Sequence, residues 1–301
     1  MFFTIIGAQQ SPPQRSGSDI FEFFIINTVS QIRLIAFDLD GTLLNRQREL
    51  SERNKRALQK AQDEGIVVCL ASGRAIATIL PFADLAGVHG PVVSCNGAYV
   101  VDSARQEVFH QGVPSHALKT ILDFAERSQV HTNLYIRSSV YFSGQDDFGD
   151  EYVRRTRFLK PEISSYAGLR GMEATKMLFM DDPDRIEAHT TFMRENLTEN
   201  DAVIAISERD YVEFLPPGVT KGRGLQEAAK SLGLERNQVA AIGDYWNDLE
   251  MIEWAGFSGA VSNAVEGVRS AADNIYPDHD EDGAAAFVDA VLAENRDFAL
   301  R

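Results

Sequence analysis

Asp38 and Asp40 stand two positions apart where an apolar run ends, in "IRLIAFDLDGTLL" at 32–44. Carboxylates so placed are the residue types of nucleophilic attack, hard-cation binding and proton transfer. Gly41 follows and allows a tight turn that brings both acids to one place, with the Thr42 hydroxyl beside them. Asp-Gly alone is only a turn signal. Three further stretches carry polar groups in order: "ASGR" at 71–74, "VTKG" at 219–222 and "GDYWND" at 243–248. Singly, each is weak. A Ser-Gly-Arg is usually a turn, and a lysine at a helix start is usually a solvated charge.

The elements around these stretches explain why polar residues would converge. "LIAFD" is a short continuous apolar run, as expected of a strand covered on both faces of a parallel sheet. Ser51 is a suitable N-cap for the helix "ERNKRALQKAQDE", which Gly65 closes. "IVVCLAS" is a second buried strand, ending at Ser72. A helical stretch follows from Ala75 to about Ala86, with Pro81 as a kink or break. "PVVSCNG" is a third strand, ending at Asn96 and Gly97. This β-α-β-α-β order predicts a doubly wound, Rossmann-like parallel sheet, whose ligands sit beyond the carboxyl ends of its strands. Asp38, Ser72 and Asn96 are the residues at those ends.

From about Ala98 to Phe214 the pattern changes to hairpins: "AYVVD" with "EVFHQ", "HTNLYIR" with "SVYFSG", and "AVIAISE" with "DYVEFLP". Helices lie between them, one around "HALKTILDFAERS" and one starting at Asp182-Pro183. Paired strands with interspersed helices predict a separate α+β unit inserted into the first. The earlier pattern then resumes with the helix "GRGLQEAAKSLG" and the strands "QVAAIGD", ending at Asp244, and "SGAVSN". The expected organisation is a core at 31–97 and 215–301, an insert at 98–214, and an N-terminal extension at 1–30.

Composition narrows the function. The chain has 301 residues, 44 % of them hydrophobic and 24 % charged, a globular balance with room for a sizeable core. A net charge of −15 argues against nucleic acid as a partner, so an anionic ligand needs local cations or a metal. Cys69 and Cys95 form no CxxC pair and read as reduced, buried thiols of a cytoplasmic protein. Neither "MFFTIIGA" nor "IFEFFIINTV" is long enough to span a bilayer, and no basic region marks a signal peptide. No methionine lies between Met1 and Met172, and "VSQIRLIAFDLDGTLL" has the look of a protein start. The expectation is that translation begins at Val29; N-terminal sequencing from the native host tests it, and an intact Phe2 or Phe3 overturns it.

Together, in order and at strand ends, the four motifs resemble the haloacid dehalogenase-like phosphohydrolases, with their Asp-x-Asp-Gly-Thr first motif. Asp40 and Ser72 are 32 positions apart, leaving no room for an inserted domain, whereas Arg74 and Lys221 are 147 apart. That placement, with "SCNGA" and "EDGAA", is similar to the Cof-type branch, which carries a large α+β cap between its second and third motifs. The resemblance implies a phosphatase that hydrolyses small phosphorylated metabolites, such as sugar phosphates or phosphorylated cofactors, with magnesium.

On that resemblance Asp38 is the nucleophile that forms an aspartyl-phosphate, splitting one difficult hydrolysis into two easier steps. Magnesium is held by the Asp38 carboxylate, the Asp40 backbone carbonyl and Asp244, with Asp248 supporting this metal set from behind. Asp40 protonates the departing alcohol and later takes a proton from water. Crowding among acids, which favours protonation, is expected to suit it to that role. Ser72, Lys221 and Asn247 hold the phosphoryl oxygens, joined by backbone N–H groups at Leu39 and Gly73, and Lys221 also orients Asp38. Thr42 hydrogen-bonds nearby, Arg74 contacts substrate or forms a salt bridge, and Asn96 contacts substrate or shapes the hinge to the cap. Two other functions fit the same motifs: a phosphomutase similar to phosphomannomutase, and a non-catalytic phosphometabolite sensor. The default assembly is a monomer.

Overall fold

The computed structural model describes residues 31–300, so the expectations for residues 1–30 lie outside the described residues. β1 (Leu34–Asp38) is wholly buried and is the centre of the architecture. α1 (Glu52–Asp63), β2 (Val67–Ala71), α2 (Ile76–Ala86) and β3 (Val92–Ser94) follow as expected. Ser51 caps α1 by accepting from the Asn54 N–H. α2 continues through Pro81 instead of breaking there, with Ile79, Phe82 and Ala83 buried around the proline. That packing offsets the backbone hydrogen bond a mid-helix proline forgoes.

The next two strands correct the expected boundary. β4 (Tyr99–Val101) and β5 (Glu107–His110) form the first predicted hairpin, but they extend the first sheet, β4 pairing antiparallel with β3, Val93 opposite Val100, and β5 with β4. Residues 98–110 therefore belong with the core sheet. A hairpin's local pattern says that two strands pair with each other; it carries no information about which sheet they join.

The second unit comprises α3 (Ser115–Ser128), β6 (His131–Ile136), β7 (Ser139–Phe142), α4 (Asp147–Thr156), β8 (Glu162–Ile163), α5 (Tyr166–Leu169), β9 (Lys176–Met180), α6 (Pro183–Asn196), β10 (Val203–Glu208) and β11 (Tyr211–Leu215). Its sheet order is β10-β11-β9-β6-β7-β8. The two remaining predicted hairpins are here, and between them runs β9, an apolar strand that no hairpin signal marks.

The chain returns through α7 (Lys221–Ser231), β12 (Val239–Gly243), α8 (Leu249–Trp254), β13 (Phe257–Val261), α9 (Glu266–Ala271), β14 (Asn274–Tyr276) and α10 (Gly283–Ala299). The first sheet reads β14-β13-β12-β1-β2-β3-β4-β5, parallel from β14 to β3. The chain leaves β1 toward β2 and comes back on its other side as β12, so β1 is the switch point where such sheets open a crevice. One apolar cluster fills the first unit and another the second. A third joins them: Ala75, Cys95 and Ala98 of the core pack with Tyr135, Leu178 and Met180 of the second sheet. The inserted unit is thus seated on the core as a cap. Both cysteines are free and buried. Among the described residues no helix is long and apolar enough to cross a membrane.

Candidate active site

Parallel register collects the polar residues. β1 pairs with β2 through Asp38 and Ala71, and with β12 through Phe37 and Ile242. Asp38, Ser72 and Asp244 consequently come off neighbouring strands at the same end of the sheet. Gly41 is required twice over. Its φ is +85°, and a Cβ there would lie 2.5 Å from the Asp244 carboxylate.

Lys221, at the first turn of α7, is 1 % exposed and donates to Asp38 Oδ1 and Asp248 Oδ1, each at 2.6 Å. Burial alone would discharge it, but Asp248 and Asp38 outweigh that and hold it protonated. Burial pushes the Asp38 carboxyl well up, and Asp248 and Asp244 add to this while Lys221 opposes it. Asp244 is raised to about 6, by burial first and then by Asp248, against a hydrogen bond from Thr42. Such an acid cluster calls for positive charge.

A cation fits the donor set. Carboxylate oxygens of Asp38, Asp244 and Asp248 lie within 4.8 Å of one another, and they are the hard ligands magnesium takes. Asp38 Oδ2 is buried with no hydrogen-bond partner, an arrangement that costs free energy unless something binds there. Asp248 is committed elsewhere. Its Oδ1 accepts from Lys221 and its Oδ2 from the Asp244 and Tyr245 N–H groups, so it braces the loop from behind.

Asp38, Asp40, Ser72, Gly73, Arg74, Asn96, Lys221, Asp244 and Asn247 line one cavity of about 460 Å³. Asn247 donates to Asn96 Oδ1 at 2.9 Å. Three expected residues stand outside the lining. Leu39 is buried, which leaves only its backbone for a ligand. The Thr42 hydroxyl is buried and donates to Asp244 Oδ1 at 3.0 Å, so it holds Asp244 in place of a substrate. Asp248 is the third.

Asp40 departs from expectation in its protonation, not in where its side chain points. Its carboxylate does not join the acid cluster; it faces Arg74, which donates from Nε and Nη2 at 2.5 Å each. Burial works to raise its pKa, but the Arg74 hydrogen bonds and charge, with Arg48 and Lys221 farther off, hold the carboxyl below its ordinary value. Crowding by like charges therefore does not tune this acid. Arg74 is no surface salt bridge either: its side chain is 11 % exposed and its guanidinium lies over the Phe82 ring.

The remaining lining residues went unseen in the sequence. Arg48 comes from the loop after β1, and Tyr152, Arg155, Lys176, Ser207 and Glu213 come from the cap. The only signals were a lysine opening an apolar run, "KMLFM", and a glutamate inside another, "YVEFL".

The sequence and the fold are similar to those of known proteins. The model of the haloacid dehalogenase-like hydrolases matches residues 35–288. The 5-amino-6-(5-phospho-D-ribitylamino)uracil phosphatase YitU of Bacillus subtilis is 29 % identical, over 85 % of this chain and 96 % of that protein. Phosphatase YwpJ of the same organism is 28 % identical, over 87 % of this chain and all of that one. A haloacid dehalogenase-like hydrolase from Bacteroides thetaiotaomicron superposes with a TM-score of 0.80 at 27 % identity, covering 87 % of this chain and 100 % of that structure. With the doubly wound core, the cap inserted between second and third motifs and the relatives agreeing, the chain belongs to the haloacid dehalogenase-like hydrolase family, on the Cof-type branch, with phosphatases such as YitU and YwpJ among its relatives.

Proposed function

We propose that the protein is a magnesium-dependent phosphatase of small phosphorylated metabolites, working through an aspartyl-phosphate on Asp38. The observation that carries this reading is the divided environment of Asp38. Lys221 fixes Oδ1 at 2.6 Å, while Oδ2 is buried without a partner, beside Asp244. One oxygen is thus oriented, and the carboxylate faces a place suited to a cation. Magnesium bound by the Asp38 carboxylate, the Asp40 carbonyl and Asp244 supplies charge against the phosphate dianion.

In the first step an Asp38 oxygen attacks phosphorus, the ester P–O bond breaks, and Asp40 gives its proton to the departing oxygen. In the second, water attacks the aspartyl-phosphate and Asp40 takes the proton back, releasing phosphate and restoring the Asp38 carboxylate. Ser72, Asn247, Lys221 and the Gly73 N–H surround the transferred group, and such positioning and charge neutralisation carry most of the catalysis in phosphoryl transfer. Asp40 needs a proton for the first step, whereas the Arg74 grip favours its carboxylate. This mechanism therefore requires the substrate's leaving group to take Asp40 from that grip.

The cavity suits a small leaving group, and the YitU likeness puts a ribityl phosphate beside sugar phosphates, flavin mononucleotide and pyridoxal phosphate as substrates to try. The test is phosphate release from p-nitrophenyl phosphate with magnesium and with EDTA, then a panel of these metabolites. Acid-quenched protein should retain labelled phosphate in the wild type and none in Asp38→Asn. Release that persists in EDTA, or labelling that survives the substitution, overturns the reading.

A further inference from the structure

The loop Ser72–Arg74 is tied to the rest of the core through three backbone hydrogen bonds and is closed on itself by a fourth. The Ser72 N–H donates to the Val93 carbonyl, and the Ser72 carbonyl accepts from the Asn96 N–H. The Arg74 N–H donates to the Ser72 hydroxyl, and the Arg74 carbonyl accepts from the Cys95 N–H. The Gly73 carbonyl differs. Its partner is in the cap: Lys176 Nζ on β9 donates to it at 3.0 Å.

Lys176 is held firmly for this contact. Its side chain is 1 % exposed, Nζ donates to Glu213 Oε1 at 2.5 Å, and the ammonium lies 4.7 Å from the Tyr135 ring centre. Glu213 Oε2 accepts from the Ser207 hydroxyl at 3.0 Å. Burial alone would discharge Lys176, but the charge and hydrogen bond of Glu213, with Tyr152 and Cys95 nearby, together outweigh it and keep the ammonium. A buried ion pair is a poor source of stability, because desolvation consumes most of the Coulombic gain and apolar residues of like volume often serve as well. Its position at the seam of cap and core, against the loop that supplies Ser72 and Arg74, gives it another use.

We propose that Lys176 is a positioning residue for the reaction: braced by Glu213, it anchors the Gly73 carbonyl, so the loop grips phosphate fully only when the cap is seated. The other hydrogen bonds from the cap near the cavity lack this reach. Arg48 donates to the Arg155 carbonyl and Arg157 to the Gln47 carbonyl; on the core side both contacts fall in the loop between β1 and α1, not in the Ser72–Arg74 loop. Rotation of the Gly73 peptide would move the Ser72 and Arg74 side chains together, because the Arg74 N–H is bonded to the Ser72 hydroxyl.

The inference rests on the phosphatase reading, and its test uses two readouts on the full chain. Lys176→Met should lower kcat/KM for p-nitrophenyl phosphate and weaken calorimetric binding of inorganic phosphate with magnesium, each by at least about tenfold, about 1.4 kcal/mol. That variant also leaves Glu213 buried and unpaired, so its thermal midpoint should fall. Lys176→Met/Glu213→Gln removes the stranded charge; it should regain the midpoint and keep both losses. Recovery of phosphate affinity and turnover along with stability would show a merely structural pair and overturn the proposal. If the wild type binds phosphate but releases none from esters, the phosphatase reading fails while the binding comparison still decides the role of Lys176. Absence of phosphate binding by the wild type overturns both.

Discussion

Arg74 grips Asp40 through two nitrogens at 2.5 Å, across 34 positions of sequence, and leaves its third nitrogen, Nη1, buried without a partner. The carboxylate that the proposed mechanism would use as an acid is therefore paired with a cation whose guanidinium still has a donor to offer. This pair separates the work of the two aspartates: Asp38 sits under Lys221 among acids, and Asp40 sits under Arg74 away from them.

Asp40→Asn should discriminate between leaving groups. A sugar alkoxide needs a proton to depart and nitrophenolate does not. Turnover of a sugar phosphate should fall at least about tenfold further than turnover of p-nitrophenyl phosphate. Equal losses on both would remove Asp40 from the acid role.

Asp38→Asn should abolish turnover, by about a thousandfold or more, about 4 kcal/mol of barrier. The fold should not suffer, because burial and the neighbouring acids already disfavour the Asp38 charge. A thermal midpoint in EDTA at or above that of the wild type is expected. Activity within about tenfold of wild type would sink the covalent mechanism.

Magnesium affinity should depend on pH with a definite sign. Asp244 titrates at about 6 and Asp38 is raised as well, whereas a cation needs both as carboxylates. Affinity should fall at least about tenfold per pH unit below about 6, more steeply where both acids are protonated, with protons released on binding, as titration calorimetry in two buffers would read. Stability in EDTA runs the other way. The folded protein holds these protons more tightly than the unfolded chain does, so their contribution grows as pH falls from about 6 toward the ordinary 3.8. A pH-independent affinity would mean these two carboxylates are not the ligands.

The cap should be separable from the core at a place set by the structure. The Gln111 side chain donates to the Pro217 carbonyl at 2.6 Å, so the two ends of the insert lie side by side. Replacing residues 114–215 with a short glycine-serine linker keeps β4 and β5 in their sheet and should still allow magnesium binding. Ranking among natural phosphates should collapse while some turnover of p-nitrophenyl phosphate remains. A capless core that ranks metabolites as the full chain does would show that specificity is not in the cap. Cutting at 98 should unfold the core edge, since it removes β4 and β5 from the first sheet.

The positions of Asp38, Ser72 and Asp244 follow from sequence because each closes an apolar run, and a strand's end is a local property. Consecutive strands of a β-α-β unit commonly lie side by side, as β1 and β2 do here, so two ends become one place. Gly41 is legible for the same reason, as a turn that local backbone geometry demands. What Arg74 grips, and what anchors Gly73, depends instead on side chains that meet 34 and 103 positions apart. The second meeting requires the cap sheet to be seated on the core through Tyr135, Leu178 and Met180, and an apolar surface states in sequence only that it will be covered. The hydrophobic effect has no direction. Register, strand pairing and side-chain reach in the folded chain choose the partner, and here they brought Lys176 to the loop between Ser72 and Arg74.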